Sequence, residues 1–253
     1  MIEVEHLSMG FDGKQVLSDI SATFEEGITN LIIGQSGSGK TVLMKCIVGL
    51  LRPDKGKILY DGRNFPALSK KEQVMLRREM GMLFQSSALF DSMSVLNNVM
   101  FPLDLFSHDN LRERRKRALF CLERVNLLEA KDKLPEELSG GMQKRCAIAR
   151  AIALNPKYLF CDEPNSGLDP QTSLIIDKLV HDITVEYKMT TIVNTHDMGS
   201  VMGIGDQVIF IYEGHKEWAG NKDNILNSNC ESLNNFLFAS QLLRKAKELQ
   251  KFE

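Results

Sequence analysis

Apolar and polar residues alternate in the first part of the chain, on either side of the turn dipeptide Asp12-Gly13. Alternation with a period of two is typical of half-buried strands, and Asp-Gly commonly connects such strands. The segment therefore predicts an antiparallel β-layer. Its apolar positions are Ile2, Val4, Ile20, Ala22 and Phe24.

In the rest of the chain, continuous apolar runs alternate with segments whose apolar residues have helical spacing. A short apolar run bounded by turn residues is typical of a strand buried on both faces. Together they predict an α/β fold with a mixed core sheet beside the antiparallel β-layer. We expect buried strands at residues 31–33, 80–84, 158–161 and 190–195, and a hairpin in which residues 208–212 and 216–219 flank Glu213-Gly214. We expect helices at residues 42–50, 69–78, 110–125, 139–153 and 170–183. The inward-facing residues of the last helix would be Ile175, Ile176, Leu179, Val180 and Ile183.

The domain organisation follows from where these patterns stop. Residues 86–155 contain no strand pattern and predict a helical subdomain, about 86–156, inserted between two core strands. The main domain is expected over residues 1–227, followed by a C-terminal extension, 228–253. The extension is either a dimer-bracing or regulator-docking helix or a frayed tail. Its apolar face would contain Leu233, Phe236, Leu237, Ser240, Leu242 and Leu243.

Composition limits the classes of partner and compartment. The chain has 253 residues, a formal net charge of -2 and 25% charged residues, which does not indicate a nucleic-acid partner. No stretch approaches the roughly 18 apolar residues that span a bilayer, and the N-terminus lacks signal-peptide features, so we expect a cytosolic chain. The five cysteines form no Cys-x-x-Cys pair, which favours small buried hydrophobes over disulfides or zinc ligands.

A glycine-rich segment, Gly34-x-x-x-x-Gly39-Lys40-Thr41, follows the first buried strand. This is a P-loop pattern between a strand and a helix, where bare N–H groups and the helix dipole favour an anion. Lys40 would reach the β- and γ-phosphates of a nucleotide, and the Thr41 hydroxyl would ligate Mg²⁺. A glycine-rich turn without a ligand is the alternative. The expected nucleotide-binding residues are Gly34, Gln35, Ser36, Gly37, Ser38, Gly39, Lys40, Thr41 and Val42.

Polar residues also follow three of the other predicted strands: Gln85, the pair Asp162-Glu163, and His196. In α/β proteins, ligands bind at the carboxyl ends of the strands. Since neighbouring strand residues point in opposite directions, Asp162 would hold Mg²⁺ while Glu163 orients or deprotonates the attacking water. His196 would bond to the γ-phosphate, although lone histidines are more often structural.

Two further features suit a nucleotide site. Ser139 reads as the N-cap of a helix that begins with Gly140 and Gly141, and the glycines leave N–H groups bare for a second anion. Phe11 lies next to the first turn. Its ring could stack on a nucleobase, or it could be an ordinary partly buried phenylalanine.

The order of these motifs resembles that of ATP-binding cassette (ABC) transporter ATPases, over about residues 1–225. The resemblance rests on four motifs: the P-loop, Leu138-Ser139-Gly140-Gly141-Met142-Gln143, Asp162-Glu163-Pro164 and His196. The resemblance implies an ABC ATPase of the P-loop NTPase class that uses ATP and Mg²⁺. By position, the adenine-stacking, Q-loop, catalytic, D-loop and switch residues would be Phe11, Gln85, Glu163, Asp169 and His196.

The resemblance also implies how these residues work together. The catalytic set would be Glu163, His196, Gln85 and Lys40, and the metal ligands would be Thr41, Gln85 and Asp162. The serine and glycines of the signature, Ser139, Gly140 and Gly141, would contact the γ-phosphate bound by a second copy. A head-to-tail dimer with two ATP molecules at its interface is therefore expected.

Within this family, the segments around residues 85–103 and 134–154 are similar to the ATPases of Mla-type phospholipid transport systems, the Mkl group. The similarity implies integral membrane permease partners, an MCE-domain lipid carrier, and a peripheral position on the cytoplasmic face of the bacterial inner membrane. Another cargo, such as lipoprotein, an amino acid or another solute, and a division-type scaffold protein are the alternatives. Asn165 and Asn194 depart from the family pattern, which has threonine and a small or apolar residue there.

Overall fold

The computed structural model describes residues 1–238, which divide into two compact units. Each unit combines segments that are distant in sequence, so neither corresponds to one continuous piece of chain. The predicted boundary between residues 227 and 228 stays a prediction. The first unit contains Met1–Phe24, Thr29–Pro66 and the described part of Asn194–Glu253, and the second contains Glu25–Ile28 and Ala67–Val193.

Strands and helices alternate along the chain as the apolar pattern predicts. The strands are β1 (Ile2–Phe11), β2 (Lys14–Phe24), β3 (Thr29–Ile33), β4 (Lys55–Tyr60), β5 (Arg63–Asn64), β6 (Met80–Leu83), β7 (Tyr158–Asp162), β8 (Thr190–Thr195), β9 (Gln207–Tyr212) and β10 (His215–Gly220). The α-helices are α1 (Lys40–Ile47), α2 (Lys70–Arg77), α3 (Val95–Phe106), α4 (Leu111–Arg124), α5 (Gly140–Ala151), α6 (Pro170–Tyr187), α7 (Met198–Ile204) and α8 (Glu231–Leu237).

In the first unit, four strands form an antiparallel layer in the order β2-β1-β4-β5. Val4 on β1 lies opposite Ala22 on β2 and Ile58 on β4. These three apolar side chains are buried, and more exposed residues alternate with them along the strands. The predicted antiparallel β-layer is confirmed.

The P-loop strand of the first unit lies in a second set of strands, ordered β10-β9-β3. All five residues of β3 are buried, and Leu31 pairs with Val208 in the parallel ladder between β3 and β9. The hairpin from β9 to β10 turns at Glu213 and Gly214, as predicted. Parallel and antiparallel pairs therefore occur in one sheet, which is the mixed arrangement expected.

The described part of the C-terminal extension packs on the first unit. Leu233 and Leu237 of α8 are buried, and the Phe236 ring lies 5.4 Å from the Phe210 ring on β9. The predicted apolar face is thus seen as far as Leu237. The remaining predicted positions, Ser240, Leu242 and Leu243, lie outside the described residues.

The second unit combines parallel strands with a group of helices. Met80 and Leu83 on β6 pair with Tyr158 and Cys161 on β7. Helices α3, α4 and α5 pack on one another, and α5 also packs on β6 and α6. These helices lie between β6 and β7 in the sequence, as the loss of strand pattern after Ser86 predicts.

Two helix predictions need correction. The first helix does not reach residue 50, because it ends at Ile47 and Gly49 has a left-handed φ of 75°. Ile175 does not face inward: its side chain is 58% exposed. Ile176, Val180 and Ile183 are buried as predicted, and the buried stripe of α6 also includes the polar side chains of Ser173 and Asp177.

Most of the cysteines are buried free thiols, as predicted. Four cysteines, Cys46, Cys121, Cys146 and Cys161, are buried free thiols, whereas Cys230 is half-buried. Burial raises the pKa of the Cys146 thiol to about 12. Within residues 1–238, no helix combines the length and hydropathy that a bilayer span requires.

Candidate functional site

The P-loop turns sharply between β3 and α1. Its three glycines, Gly34, Gly37 and Gly39, have φ angles of 150°, 83° and 107°, which side chains with a Cβ rarely adopt. A Cβ added at Gly34 would also lie 2.2 Å from the carbonyl oxygen of Ile211 on β9. Position 34 therefore requires glycine for two reasons, its backbone conformation and its close packing against Ile211.

Lys40 is folded back over this loop. Its side chain is buried, and the Nζ atom donates hydrogen bonds to the carbonyl oxygens of Gly34 at 2.8 Å and Gln35 at 2.9 Å. The N-cap of α1, Gly39, provides no side-chain cap for the first-turn N–H groups. A buried ammonium group beside uncapped helix N–H groups fits a phosphate, as the pattern predicts.

Phe11 and His196 also belong to the first unit. Phe11 ends β1, and its ring is 42% exposed, so it is accessible to a planar ligand. His196 is exposed directly after β8, and the next residue, Asp197, caps α7 by accepting a 2.7 Å hydrogen bond from the N–H of Gly199. The exposed position of each ring is compatible with its predicted role.

Gln85 and Glu163 meet in the second unit. The Gln85 side-chain amide donates to Glu163 Oε2 at 3.0 Å and to Ser166 Oγ at 3.2 Å. Gln85 follows β6 and Glu163 follows β7, and these neighbouring strands run parallel. The structure therefore brings together two of the four predicted catalytic residues.

The local backbone sets the direction of Glu163 in an unexpected way. β7 ends at Asp162, and Glu163 has a left-handed φ of 46°. Strand alternation therefore stops before Glu163 and cannot assign different roles to this residue and Asp162. The Glu163 carbonyl accepts a 3.1 Å hydrogen bond from the N–H of Ser166, so a tight turn and the Gln85 amide hold the carboxylate in place.

The two glycines after Ser139 serve different purposes. Ser139 is the N-cap of α5, and its hydroxyl accepts a 3.3 Å hydrogen bond from the N–H of Met142. A Cβ added at Gly141 would lie 2.5 Å from Cγ2 of Thr172, where α5 packs on α6. A Cβ at Gly140 would lie 3.4 Å from Leu168, its nearest neighbour. Close helix packing thus explains Gly141 but not Gly140.

Asp169 is the N-cap of α6. Its carboxylate accepts hydrogen bonds from the N–H groups of Gln171 and Thr172, both at 3.0 Å, and from the Thr172 hydroxyl at 2.5 Å. The Thr172 hydroxyl, together with these N–H groups, lowers the pKa of Asp169. The carboxylate is therefore fixed at the start of the helix.

Two cations of α5, the buried Lys144 and the half-buried Arg150, contact the loop after β6, and sequence reasoning assigned neither a role. The Lys144 ammonium group donates a hydrogen bond to the Gln85 carbonyl oxygen. Arg150 donates to the carbonyls of Ser87 at 2.8 Å and Ala88 at 2.7 Å, and burial lowers its pKa. Their signal in the sequence is a charged residue on the helix face that otherwise carries small and apolar side chains.

A lysine over a glycine loop and a carboxylate oriented by an amide meet the needs of phosphate binding and water activation, so this chain is a P-loop ATPase. The family model described as ABC transporter matches residues 17–166. The chain belongs to the ABC transporter family and contains its ATP-binding ATPase domain.

Curated relatives with different transport functions are similar to this chain. The probable ribonucleotide transport ATP-binding protein mkl of Mycobacterium leprae is 35% identical, over 93% of this chain and 68% of its own length. The methionine import ATP-binding protein MetN of Carboxydothermus hydrogenoformans is 41% identical, over 85% of this chain and 64% of its own length. The intermembrane phospholipid transport system ATP-binding protein MlaF of Haemophilus influenzae is 38% identical, over 90% of this chain and 86% of its own length.

Solved structures support the fold. The structure of cbiO1 from Clostridium perfringens, part of the ABC transporter complex cbiONQ, has a TM-score of 0.85 at 32% identity and covers 99% of this chain and 98% of its own. The dimeric structure of a post-hydrolysis state of the ATP-binding cassette MJ0796 bound to ADP and Pi has a TM-score of 0.79 at 31% identity. It covers 88% of this chain and 99% of its own. The predicted ABC ATPase fold is confirmed.

Proposed function

We propose that two copies of this chain close head to tail on two ATP molecules and drive a membrane permease that transports phospholipids. The hydrogen bond between Gln85 and Glu163 carries the enzymatic part of this proposal, because it gives the carboxylate a fixed direction beside a strand end. A general base must be oriented before it can take a proton from water.

The first unit would bind the nucleotide. The N–H groups of residues 34–42 would surround the phosphates, with the Lys40 ammonium group moving from the loop carbonyls to the β- and γ-phosphates. Phe11 would stack on adenine through its exposed ring. Mg²⁺, when bound, would neutralise phosphate charge, and the oxygen donors of Thr41, Gln85 and Asp162 have the chemistry that this ion prefers.

The other predicted residues would act on the terminal phosphate. Glu163 would accept a proton from water as the water oxygen attacks the γ-phosphorus and the bond to the bridging oxygen of ADP breaks. His196 would bond to the γ-phosphate, and Asp169 would face the interface at the start of α6. Ser139 and Gly141 of the second copy would complete the anion site with the tip of α5.

A groove in the second unit supports a permease partner. It has a volume of about 570 Å³ and an apolar lining that includes Phe84, Phe90, Phe101 and Phe106. It lies next to the loop that follows β6, so a permease segment in this groove would contact the same loop that begins with Gln85. ATP-dependent movement of Gln85 would then be passed to the permease.

Two lines of similarity bear on cargo. The MlaF relative and the segments around residues 85–103 and 134–154 support phospholipid transport, with an MCE-domain carrier and attachment to the cytoplasmic face of the inner membrane. The identity to a methionine import protein favours an amino acid as the second candidate. The two cargoes require different extracytoplasmic components, which gives the test a clear readout.

The test is purification of the full chain with its native membrane partners through a tag on this chain. Co-elution of a permease, an MCE-domain protein and phospholipid, and ATP-dependent movement of labelled phospholipid in reconstituted vesicles, would support the proposal. A complex with a periplasmic amino-acid receptor, and ATP-driven methionine uptake, would overturn the phospholipid assignment and leave the ATPase assignment intact. Binding to a division permease homologue without lipid movement would instead indicate a scaffold.

A further inference from the structure

The signature helix α5 carries a buried lysine five residues beyond its N-cap. Lys144 is 4% exposed, and its ammonium group donates a hydrogen bond to the backbone carbonyl of Gln85. The side-chain amide of the same glutamine is bonded to Glu163. One glutamine therefore connects α5, through its main chain, with the acidic residue after β7, through its side chain.

Burial and nearby ionisable groups act in opposite directions on the Lys144 ammonium group. Burial lowers its pKa, and electrostatic interactions with Cys161, Glu163 and Asp162 oppose that shift. A buried ammonium group is costly unless hydrogen bonds and opposite charges compensate it. Three of the groups that compensate Lys144, namely the Gln85 carbonyl, Glu163 and Asp162, belong to residues on which the proposed hydrolysis depends.

We propose that Lys144 is a positioning residue for ATP hydrolysis. It fixes the Gln85 backbone to α5, so that the Gln85 amide stays on the Glu163 carboxylate while Ser139, at the tip of the same helix, engages the facing nucleotide. A shift of α5 is thereby transmitted to the general base. The inference rests on the proposed role of Glu163.

The neighbouring residue provides a matched control. Arg145 also donates from α5 to backbone carbonyls, those of Val125 at 3.2 Å and Asn126 at 3.1 Å, which lie just after α4. Both side chains thus join α5 to a loop, but only Lys144 reaches the loop that begins with Gln85. A purely structural role predicts similar effects for Lys144→Met and Arg145→Met.

The experiment measures steady-state ATP hydrolysis by the full chain, with affinity for a fluorescent ATP analogue measured separately. We expect Lys144→Met to lower kcat by about tenfold to a hundredfold, the scale of a misplaced catalytic group, with KM and analogue affinity within about twofold. Arg145→Met should leave kcat within about twofold. An unchanged kcat in Lys144→Met, or an equal loss in both variants, would overturn the proposal.

A double variant separates positioning from general damage. Because Lys144 acts through Glu163, adding Lys144→Met to Glu163→Gln should cause no further loss of hydrolysis, whereas independent effects would multiply. If Lys144→Met does not fold, Lys144→Gln is judged by the same criteria with a threshold of about threefold. If Glu163→Gln itself hydrolyses ATP normally, the proposed function fails at Glu163, which is a different result from an unchanged Lys144→Met.

Discussion

The side-chain amide of Asn165 donates a 2.7 Å hydrogen bond to the carboxylate of Asp177, and both side chains are buried. Asn165 lies in the turn between Glu163 and Asp169, and its carbonyl also accepts a 3.1 Å hydrogen bond from the N–H of Leu168. Asp177 lies on α6. The pair therefore ties the turn to the helix, which explains why asparagine suits the position where the family commonly has threonine.

Removing the acceptor of this bond should destabilise the protein. We expect Asp177→Ala to lower the free energy of unfolding by about 1–3 kcal/mol, because a buried amide loses its partner carboxylate. Urea unfolding would measure the change. Lys178→Ala is the control, since its 2.7 Å ion pair with Asp182 is largely exposed and should contribute less than about 1 kcal/mol.

The reversed pair tests whether the bond itself is responsible. Asn165→Asp combined with Asp177→Asn keeps one amide and one carboxylate in contact, so it should recover most of the stability that Asp177→Ala loses. If the reversed pair is as unstable as the alanine variant, shape rather than hydrogen bonding explains these residues.

The carboxylate of Glu163 should be needed for hydrolysis but not for nucleotide binding. Glu163→Gln keeps the shape and removes the base, so we expect turnover to fall by about a hundredfold or more with ATP affinity retained. A coupled phosphate-release assay and an equilibrium binding assay would measure the two quantities. Glu217→Gln, on β10, is the control; normal turnover in Glu163→Gln would remove Glu163 from its role.

The packing of Gly141 on Thr172 predicts a rescue. Gly141→Ala should reduce stability and hydrolysis, since its Cβ would lie 2.5 Å from Cγ2 of Thr172. Thr172→Ser deletes that methyl group and keeps the hydroxyl that bonds to Asp169, so the double variant should regain much of both properties. Thermal unfolding and ATPase assays would follow the series, and failure of the serine variant to rescue would contradict this explanation.

Gly34 should be less replaceable than Gly13, another glycine with positive φ. Gly34→Ala places a Cβ against the Ile211 carbonyl and should abolish nucleotide binding. Gly13→Ala is the matched control, because Gly13 has a φ of 79° with no atom within 4 Å of the added Cβ and should cost only about 1–2 kcal/mol of backbone strain. Equal losses of stability and ATP affinity in both variants would argue against a packing requirement.

Local signals in the sequence predict much of this fold. The helices predicted to begin at residues 69, 110 and 139 have Ser69, Asn110 and Ser139 as their N-caps, because a cap depends on residues within one turn. The strand after which Gln85 emerges is also found. The contact between Gln85 and Glu163 follows from the general rule that parallel strands end at the same edge.

What the sequence could not predict depends on partners far along the chain. Ile175 is exposed whereas Asp177 lies in the buried stripe of α6, and Asp177 is acceptable there because Asn165 donates a hydrogen bond to it. Lys144 can likewise be buried because the Gln85 carbonyl oxygen, distant in sequence, accepts a hydrogen bond from its ammonium group. Periodicity does not show such compensation, so charged residues are assigned to the surface by default.

The pairing of β3 with β9 has a consequence for biosynthesis. Thr29, which begins β3, bonds to Asp206, which lies 177 residues later in the chain. A ribosome adding about 5–20 residues per second takes about 10 to 35 seconds to make that intervening stretch, during which β3 lacks this neighbour. The strand that leads into the nucleotide loop therefore lacks its β9 neighbour through most of translation, so the loop cannot reach its final geometry until β9 has been made.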